Sequence, residues 1–179
     1  RIRVDPDRPA EFTLKLRIPG WARGATATVA GAPIATEERK RGYLEIRRRW
    51  APGDLVTLDL PMPIERLYAH PEVRADVGRT AIKRGPLVYC FEHADNGGIS
   101  LERARLPRNA ALQHGSRPDL FDGIVSITGA GRVAAVADWA DDLYRRSPPR
   151  DTGADLTAIP YYLWCNRGPG RMLVWIPEA

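Results

Sequence analysis

Hydrophobic and polar side chains alternate along much of this chain with a period of two residues. The clearest example is residues 11–18, where every second position from Phe12 to Ile18 is apolar and the positions between them carry Thr, Lys and Arg. This alternation is typical of a β-strand with one buried face and one wet face. Pro19-Gly20 directly afterwards predicts a turn.

The same pattern recurs and predicts many short strands separated by turn residues. Further strand candidates are residues 25–30, 43–50, 56–60, 64–68, 79–83, 87–91, 99–106, 124–128, 132–137, 158–165 and 171–176. Residues 87–91 are apolar throughout, which predicts a strand buried on both faces. No stretch has the 3.6-residue periodicity of an amphipathic helix. We therefore expect an all-β fold of two β-sandwich, jelly-roll-like units of antiparallel strands.

Two stretches predict the organisation of these strands. Residues 92–98 are mostly polar and end in Gly97-Gly98, which suggests a connection between sandwiches. We expect a first β-sandwich over residues 1–95 and a second over residues 96–179, with the last strand around Trp175 returning to the first unit. Residues 138–155 are rich in charge, Pro and Gly, and predict a long loop.

Composition narrows the classes of partner. The net charge of +5 comes almost entirely from arginine, since the chain has only three lysines among 27 basic residues. The densest charged run, residues 37–41, mixes both signs, and no nucleic-acid-reading motif accompanies it, so we predict no nucleic-acid partner. No apolar run approaches the ~18 residues of a membrane helix, so we predict no membrane partner. A cytoplasmic location is favoured.

Cysteines and histidines are the first candidates for chemistry. Cys90 and Cys165 both lie in apolar runs, and we predict that both are buried, reduced thiols rather than a disulfide or a nucleophile. Cys90-x-x-His93 has the spacing of half a zinc site, but a structural zinc needs four ligands and no others lie nearby. His70 and His114 have no such neighbours either. We therefore predict no metal site.

Carboxylates and tryptophans are the second set of candidates. A pair among Asp138, Asp141 and Asp142 could cleave a glycosidic bond if two of them faced each other across a cleft, but a solvated acidic loop is the favoured interpretation. Tryptophans could stack on sugars. Trp164 and Trp175 lie in apolar runs that predict core positions. Trp21 and Trp139 are the better candidates for exposure. No catalytic, cofactor-binding or metal residue is assigned in this chain.

Several segments, in order and spacing, resemble glycoside hydrolase family 127, the β-L-arabinofuranosidase type. They are Phe12–Ala22, Gly42-Tyr43 with Arg49-Trp50 and Pro52-Gly53-Asp54, Lys83–Glu92, Ile159–Tyr162, Asn166-Arg167-Gly168 and Met172–Pro177. Together these segments extend over nearly the whole chain, and the resemblance is weakest over residues 101–155.

The resemblance implies a particular place in a larger enzyme. Members of the family carry an (α/α)6-barrel catalytic domain followed by β-sandwich domains, with a zinc-bound catalytic cysteine and a supporting glutamate in the barrel. None of those motifs has a counterpart here, so no cofactor is expected in this chain and the implied zinc belongs to the upstream domain. The chain would then be a non-catalytic accessory region whose first strand or strands are missing.

The expected partners follow from that place. They are the chain's own upstream catalytic domain, which it would brace, and a second copy in a dimer. The alternative function is a carbohydrate-binding module that stacks sugars on exposed tryptophans. The sequence does not indicate which glycan the parent enzyme would cut.

Overall fold

The computed structural model describes residues 1–37, 39–139 and 141–179, and it confirms the predicted all-β, antiparallel fold. Helical structure in the described residues is limited to 3₁₀ turns. The strands are β1 Ile2–Val4, β2 Ala10–Arg17, β3 Thr26–Val29, β4 Ala32–Ile34, β5 Arg39–Lys40, β6 Tyr43–Trp50, β7 Asp54–Asp59, β8 Ile64–Leu67, β9 Arg79–Arg84, β10 Leu87–Glu92, β11 Ala104–Arg105, β12 Leu112–Arg117, β13 Ile124–Ala134, β14 Asp151–Pro160, β15 Met172–Leu173 and β16 Ile176–Pro177.

The first of two compact units comprises Arg1–Pro63. One sheet has the order β1-β7-β3-β4 and the other β2-β6-β5. The alternation predicted for residues 11–18 is confirmed in its second half, where Leu16 and Ile18 are buried and Lys15 and Arg17 are exposed. Phe12, predicted to lie on the buried face, is 38% exposed. Trp50, at the end of β6, is fully buried in this core. Its indole Nε1 donates a hydrogen bond to the Phe12 carbonyl at 3.1 Å, so its polar atom is satisfied.

The second unit comprises Ile64–Ala179. Its sheet has the order β11-β13-β14-β10-β9-β16, with β12 beside β13, β15 beside β10 and β8 beside β9. Tyr89, Cys90 and Phe91 of β10 are all buried. The prediction of burial on both faces for residues 87–91 is therefore confirmed for these three residues, where β10 lies between β9 and β14. It is wrong at Val88, which is 39% exposed.

The structure places the boundary between the units after Pro63, not near Asp95. Strand β10 ends at Glu92, yet its Phe91 pairs with Ala158 of β14, so one sheet continues across the polar stretch that suggested a boundary. The last strand, β16, pairs through Ile176 with Thr80 of β9. Strand β9 lies within residues 1–95, so the last strand returns to that part of the chain, as expected. However, β9 belongs to the second unit.

Several strand predictions in the second unit differ from the structure. The two strands predicted for residues 124–128 and 132–137 are one strand, β13, which ends at Ala134 and whose central Gly129 and Gly131 have no apolar side chain to continue the pattern. Strand β14 begins at Asp151, inside the predicted loop. It ends at Pro160, and the chain then enters a 3₁₀ turn, Tyr161–Leu163, so the predicted strand 158–165 is too long. Strand β12 was missed because its side chains are mostly polar and exposed.

No helix among the described residues is long and apolar enough to cross a membrane.

Candidate functional site

A buried ionic cluster lies where the end of β10 meets the segment between β14 and β15. The Arg167 guanidinium donates from Nη2 to Glu92 Oε2 at 2.6 Å and from Nη1 to Asp95 Oδ1 at 2.7 Å, and Nη2 also contacts Asp95 Oδ2. The Glu92 and Asp95 side chains are only 2% and 3% exposed, and Arg167 is 21% exposed. The hydrogen bonds to Asp95, followed by those to Glu92, raise the pKa of the Arg167 guanidinium, so it stays charged.

Local structure brings the two carboxylates together. Glu92 ends β10, and a 3₁₀ turn, His93–Asp95, turns Asp95 to the same side. The buried Asn96 then fastens this corner to β14. Its Nδ2 donates to the carbonyls of Glu92 and Thr157, and its Oδ1 accepts from the Thr157 N–H, each at 2.8 Å. The polar stretch 92–98 is therefore a folded corner of one sheet.

Opposite this corner, residues 161–168, which we call the aromatic turn, carry Arg167. The Cys165 N–H donates to Glu92 Oε1 at 3.3 Å, and Cys165 adopts a φ of 67°, which is uncommon for a residue other than glycine. Asn166 Nδ2 donates to the Leu163 carbonyl at 2.9 Å. Leu163 packs against the small cluster of Cys90, Ile124 and Ile159. The turn is thus held by both polar and apolar contacts.

Three aromatic side chains of this turn are exposed. Tyr161, Tyr162 and Trp164 keep 44%, 64% and 39% of their surface accessible. The rings of Tyr161 and Trp164 stack with centroids 6.2 Å apart and planes 15° from parallel. The prediction that Trp164 lies in the core is therefore wrong. Strand β14 stops at Pro160, so the apolar run that suggested a core strand forms an exposed turn instead.

The other tryptophans are all less exposed than Trp164. Trp21 is half-buried against the core of the first unit. Trp139 is also half-buried, and the Arg145 guanidinium lies 5.1 Å from its ring centroid. The prediction that these two are the exposed ones is thus only partly met. Trp175 is half-buried and Trp50 is fully buried.

Both cysteines are free, but they differ in access. Cys90 is buried, as predicted, and burial is the main reason that the pKa of its thiol rises to about 12. It is therefore protonated and poorly nucleophilic at neutral pH. Cys165 is exposed, which contradicts the prediction that both thiols are buried. The tight turn lifts it out of the strand pattern that suggested burial.

The predicted chemistry-bearing residues do not converge on one place in the described structure. His93 is exposed while Cys90 is buried, and no group of three or more His, Cys, Asp and Glu among the described residues could hold a metal ion. Asp141 and Asp142 are exposed, and Asp142 pairs with Arg145 Nε at 3.1 Å. The Asp138 side chain lies outside the described residues.

The ionic cluster was missed because its members are far apart in sequence. Arg167 follows Glu92 by 75 residues and Asp95 by 72. The sequence signal was limited to an arginine within a turn-forming Asn-Arg-Gly and two acids after a buried strand. Neither feature identifies the other as its partner, because strand order decides which loops meet.

Two family models match the chain in succession. Residues 1–62 match the model for the "Beta-L-arabinofuranosidase, GH127 middle domain", and residues 64–177 match the "Glycoside hydrolase family 127 C-terminal domain". The junction between the two matches coincides with the division of the structure after Pro63.

Individual proteins match as well. The non-reducing end β-L-arabinofuranosidase of Bifidobacterium longum subsp. longum is 36% identical over 173 residues, which cover 89% of this chain and 25% of that protein. The crystal structure of a GH127 β-L-arabinofuranosidase from Geobacillus stearothermophilus T6 is 48% identical, with a TM-score of 0.92, over 99% of this chain and 28% of that one. A GH127 β-arabinofuranosidase structure is 33% identical, with a TM-score of 0.82, over 95% of this chain and 28% of that one. The chain thus spans little more than a quarter of the length of these relatives.

Proposed function

Because the chain belongs to glycoside hydrolase family 127, we propose that it is the non-catalytic accessory region of a glycoside hydrolase and braces the catalytic part of the same protein. The observation that carries this proposal is the place of the match, which falls on the middle and C-terminal domains of the family and on about a quarter of its relatives' length. The relatives are named as β-L-arabinofuranosidases. We extend that activity to the longer protein, not to this chain.

The chemistry of the described residues supports an accessory role. The Cys90 thiol is buried, with a pKa of about 12, so it is a poor nucleophile. Glu92 and Asp95 are buried carboxylates, but both are engaged by Arg167, and Glu92 also accepts from the Cys165 N–H, so neither is free to face a cleft. These groups stabilise a turn and present no acid–base pair to a substrate.

Bracing is tested in the longer protein, meaning this chain joined to its catalytic part. Gly131→Ala places a methyl group against the Leu156 side chain inside the second unit, whereas Gly153→Ala on the neighbouring strand meets nothing within 4 Å. If the chain braces the catalytic part, Gly131→Ala lowers the temperature at which arabinofuranosidase activity is lost by several degrees and Gly153→Ala does not. Equal inactivation temperatures, with the isolated Gly131→Ala chain destabilised, would overturn bracing.

Contact between two copies and a cytoplasmic location belong to the same proposal. The exposed Cys165 is free in the structure, which suits a reducing compartment. A dimer predicts that the molecular mass of the longer protein doubles with concentration. A strict monomer at high concentration would remove self-association from the proposal.

Carbohydrate binding is the second candidate function. The tryptophans favoured for exposure, Trp21 and Trp139, are half-buried, Trp21 against the core of the first unit and Trp139 with the Arg145 guanidinium over its ring. The observation that still favours it is the exposure of three neighbouring aromatic side chains, Tyr161, Tyr162 and Trp164. A saturable change in the chain's tryptophan fluorescence on titration with L-arabinose-containing oligosaccharides would support it, and loss of that change in Trp164→Ala would place the sugar on the turn.

A further inference from the structure

We propose that the aromatic turn, residues 161–168, is the surface through which the second unit contacts the catalytic part of its own protein. The inference rests on the proposed function and adds the contact surface to it. Its test reads the accessibility of the turn directly, so its failure can be told apart from a failure of bracing.

The first support is the chemistry of the exposed surface. Tyr161, Tyr162 and Trp164 lie within four consecutive positions, and all three residues are exposed. An aromatic side chain can bury roughly 150–250 Å², so leaving three of them exposed together is unfavourable unless something covers them. Tyrosine, tryptophan and arginine are also the residues that contribute most to protein–protein interfaces.

The second support is the rigidity of the turn. Arg167 joins it to Glu92 and Asp95, and the Cys165 N–H adds a further hydrogen bond to Glu92. Two buried carboxylates cost free energy to desolvate, and here they hold a short exposed segment in one conformation. A surface that is ordered before binding loses less conformational entropy when its partner docks. The cluster therefore acts as a support for the rings.

The third support concerns the occupant. The chain covers 28% of the solved Geobacillus enzyme while 99% of this chain is matched, so most of a relative's polypeptide lies outside the matched region. A partner in the same polypeptide is present at an effective concentration of about millimolar or more, which suits a surface as small as this one. A sugar is less favoured, because the rings of Tyr161 and Trp164 stack on each other and partly cover one face of each.

Cys165 is a natural reporter, since it is exposed and follows Trp164 directly. The variant Tyr144→Cys supplies an internal standard, because Tyr144 is 92% exposed and lies outside the turn. The isolated variant chain and the longer variant protein are treated with iodoacetamide, and alkylation at both positions is followed by peptide mass spectrometry. Access controls thiol reactivity. We therefore expect the ratio of the Cys165 alkylation rate to that of the introduced thiol to be roughly tenfold or more lower in the longer protein than in the isolated chain.

Three results would overturn the proposal. The first is an equal ratio of the two rates in the isolated chain and the longer protein. The second is protection that weakens on dilution of the longer protein, which would make a second copy the occupant. The third is an equal ratio together with protection of Cys165 by arabino-oligosaccharides, which would make the turn a sugar site. Bracing fails separately, if Gly131→Ala leaves the inactivation temperature of the longer protein unchanged.

Discussion

The Arg167 guanidinium donates a hydrogen bond to the carboxylate of Glu92, 75 residues earlier in the chain, at 2.6 Å. Glu92 ends β10, while Arg167 lies in the aromatic turn between β14 and β15. This pair, completed by Asp95, joins a central strand of the second unit to its exposed aromatic segment. The stability of the unit and the order of its proposed docking surface therefore depend on the same three side chains.

Replacing Arg167 should be strongly destabilising. Arg167→Ala leaves the Glu92 and Asp95 carboxylates buried without their cation, and breaking a buried ion pair in this way costs about 3–5 kcal/mol. The measurement is the free energy of unfolding in urea. The matched control is Arg47→Ala, which removes an ion pair with Glu11 whose side chains are 77% and 58% exposed, and which should cost about 1 kcal/mol or less. Equal losses in the two variants would contradict the buried cluster.

Gly131→Ala should destabilise the chain by overpacking. The new Cβ would meet the Leu156 side chain and lie 3.2 Å from the Arg105 carbonyl oxygen, and such crowding costs about 1–3 kcal/mol. Gly153, on the strand paired with β13, has open space at the same atom. Gly153→Ala should therefore leave the midpoint of thermal unfolding nearly unchanged. A larger loss for Gly153→Ala than for Gly131→Ala would show that the packing around β13 differs from that described.

The two thiols should react very differently with Ellman's reagent. The native chain should release one equivalent quickly, from the exposed Cys165, and the second only after unfolding in guanidinium, when Cys90 becomes accessible. Cys165→Ser should abolish the fast phase, whereas Cys90→Ser should keep it. Fast reaction of both thiols in the native chain would mean that Cys90 of β10 is accessible to the reagent and not buried.

Cys90 should also make the chain less stable at alkaline pH. Burial raises the pKa of its thiol from 9.0 to about 12. Below pH 9 the thiol is protonated in both states, but between these values the unfolded chain loses a proton that the folded chain keeps. Unfolding then becomes more favourable by up to about 1.4 kcal/mol per pH unit.

The check is the slope of unfolding free energy against pH between about pH 9 and 10.5. Cys90→Ala should have a shallower decline than the original chain, whatever its absolute stability, and Cys165→Ala should keep the full slope. The pKa of Tyr89 is also raised, mainly by burial. Tyr89 therefore lowers the free energy of unfolding further at higher pH, and it does so in every variant. Parallel slopes in all three proteins would contradict the burial of Cys90.

Local sequence patterns predicted the strands in which apolar and polar residues alternate and which are followed by turn residues. Strand β6, Tyr43–Trp50, has the predicted bounds because apolar and charged residues alternate and Pro52-Gly53 follows. Strand β13 was divided in two because Gly129 and Gly131, where Leu112 and Leu156 approach, carry no apolar signal of their own. A period-two pattern can predict a strand only where the strand's own residues have side chains that alternate between apolar and polar.

The candidate site could not be predicted from local patterns because it depends on pairing between distant segments. Phe91 pairs with Ala158 only in the folded sheet, and that pairing brings the aromatic turn over Glu92. The same folding exposes Trp164, whose apolar surroundings suggested a core position. The family, by contrast, could be predicted from conspicuous segments such as Lys83–Glu92, which keep their order along the chain.

Hydrolysis of an aryl L-arabinofuranoside, compared between the isolated chain and the longer protein at equal molar concentration, tests the accessory role most directly. We predict that the longer protein releases the aryl alcohol and that the isolated chain, verified as folded by its thermal transition, does not exceed the buffer rate. Turnover by the isolated chain at a rate comparable with that of the longer protein would contradict the account, because it would place the catalytic groups within these 179 residues.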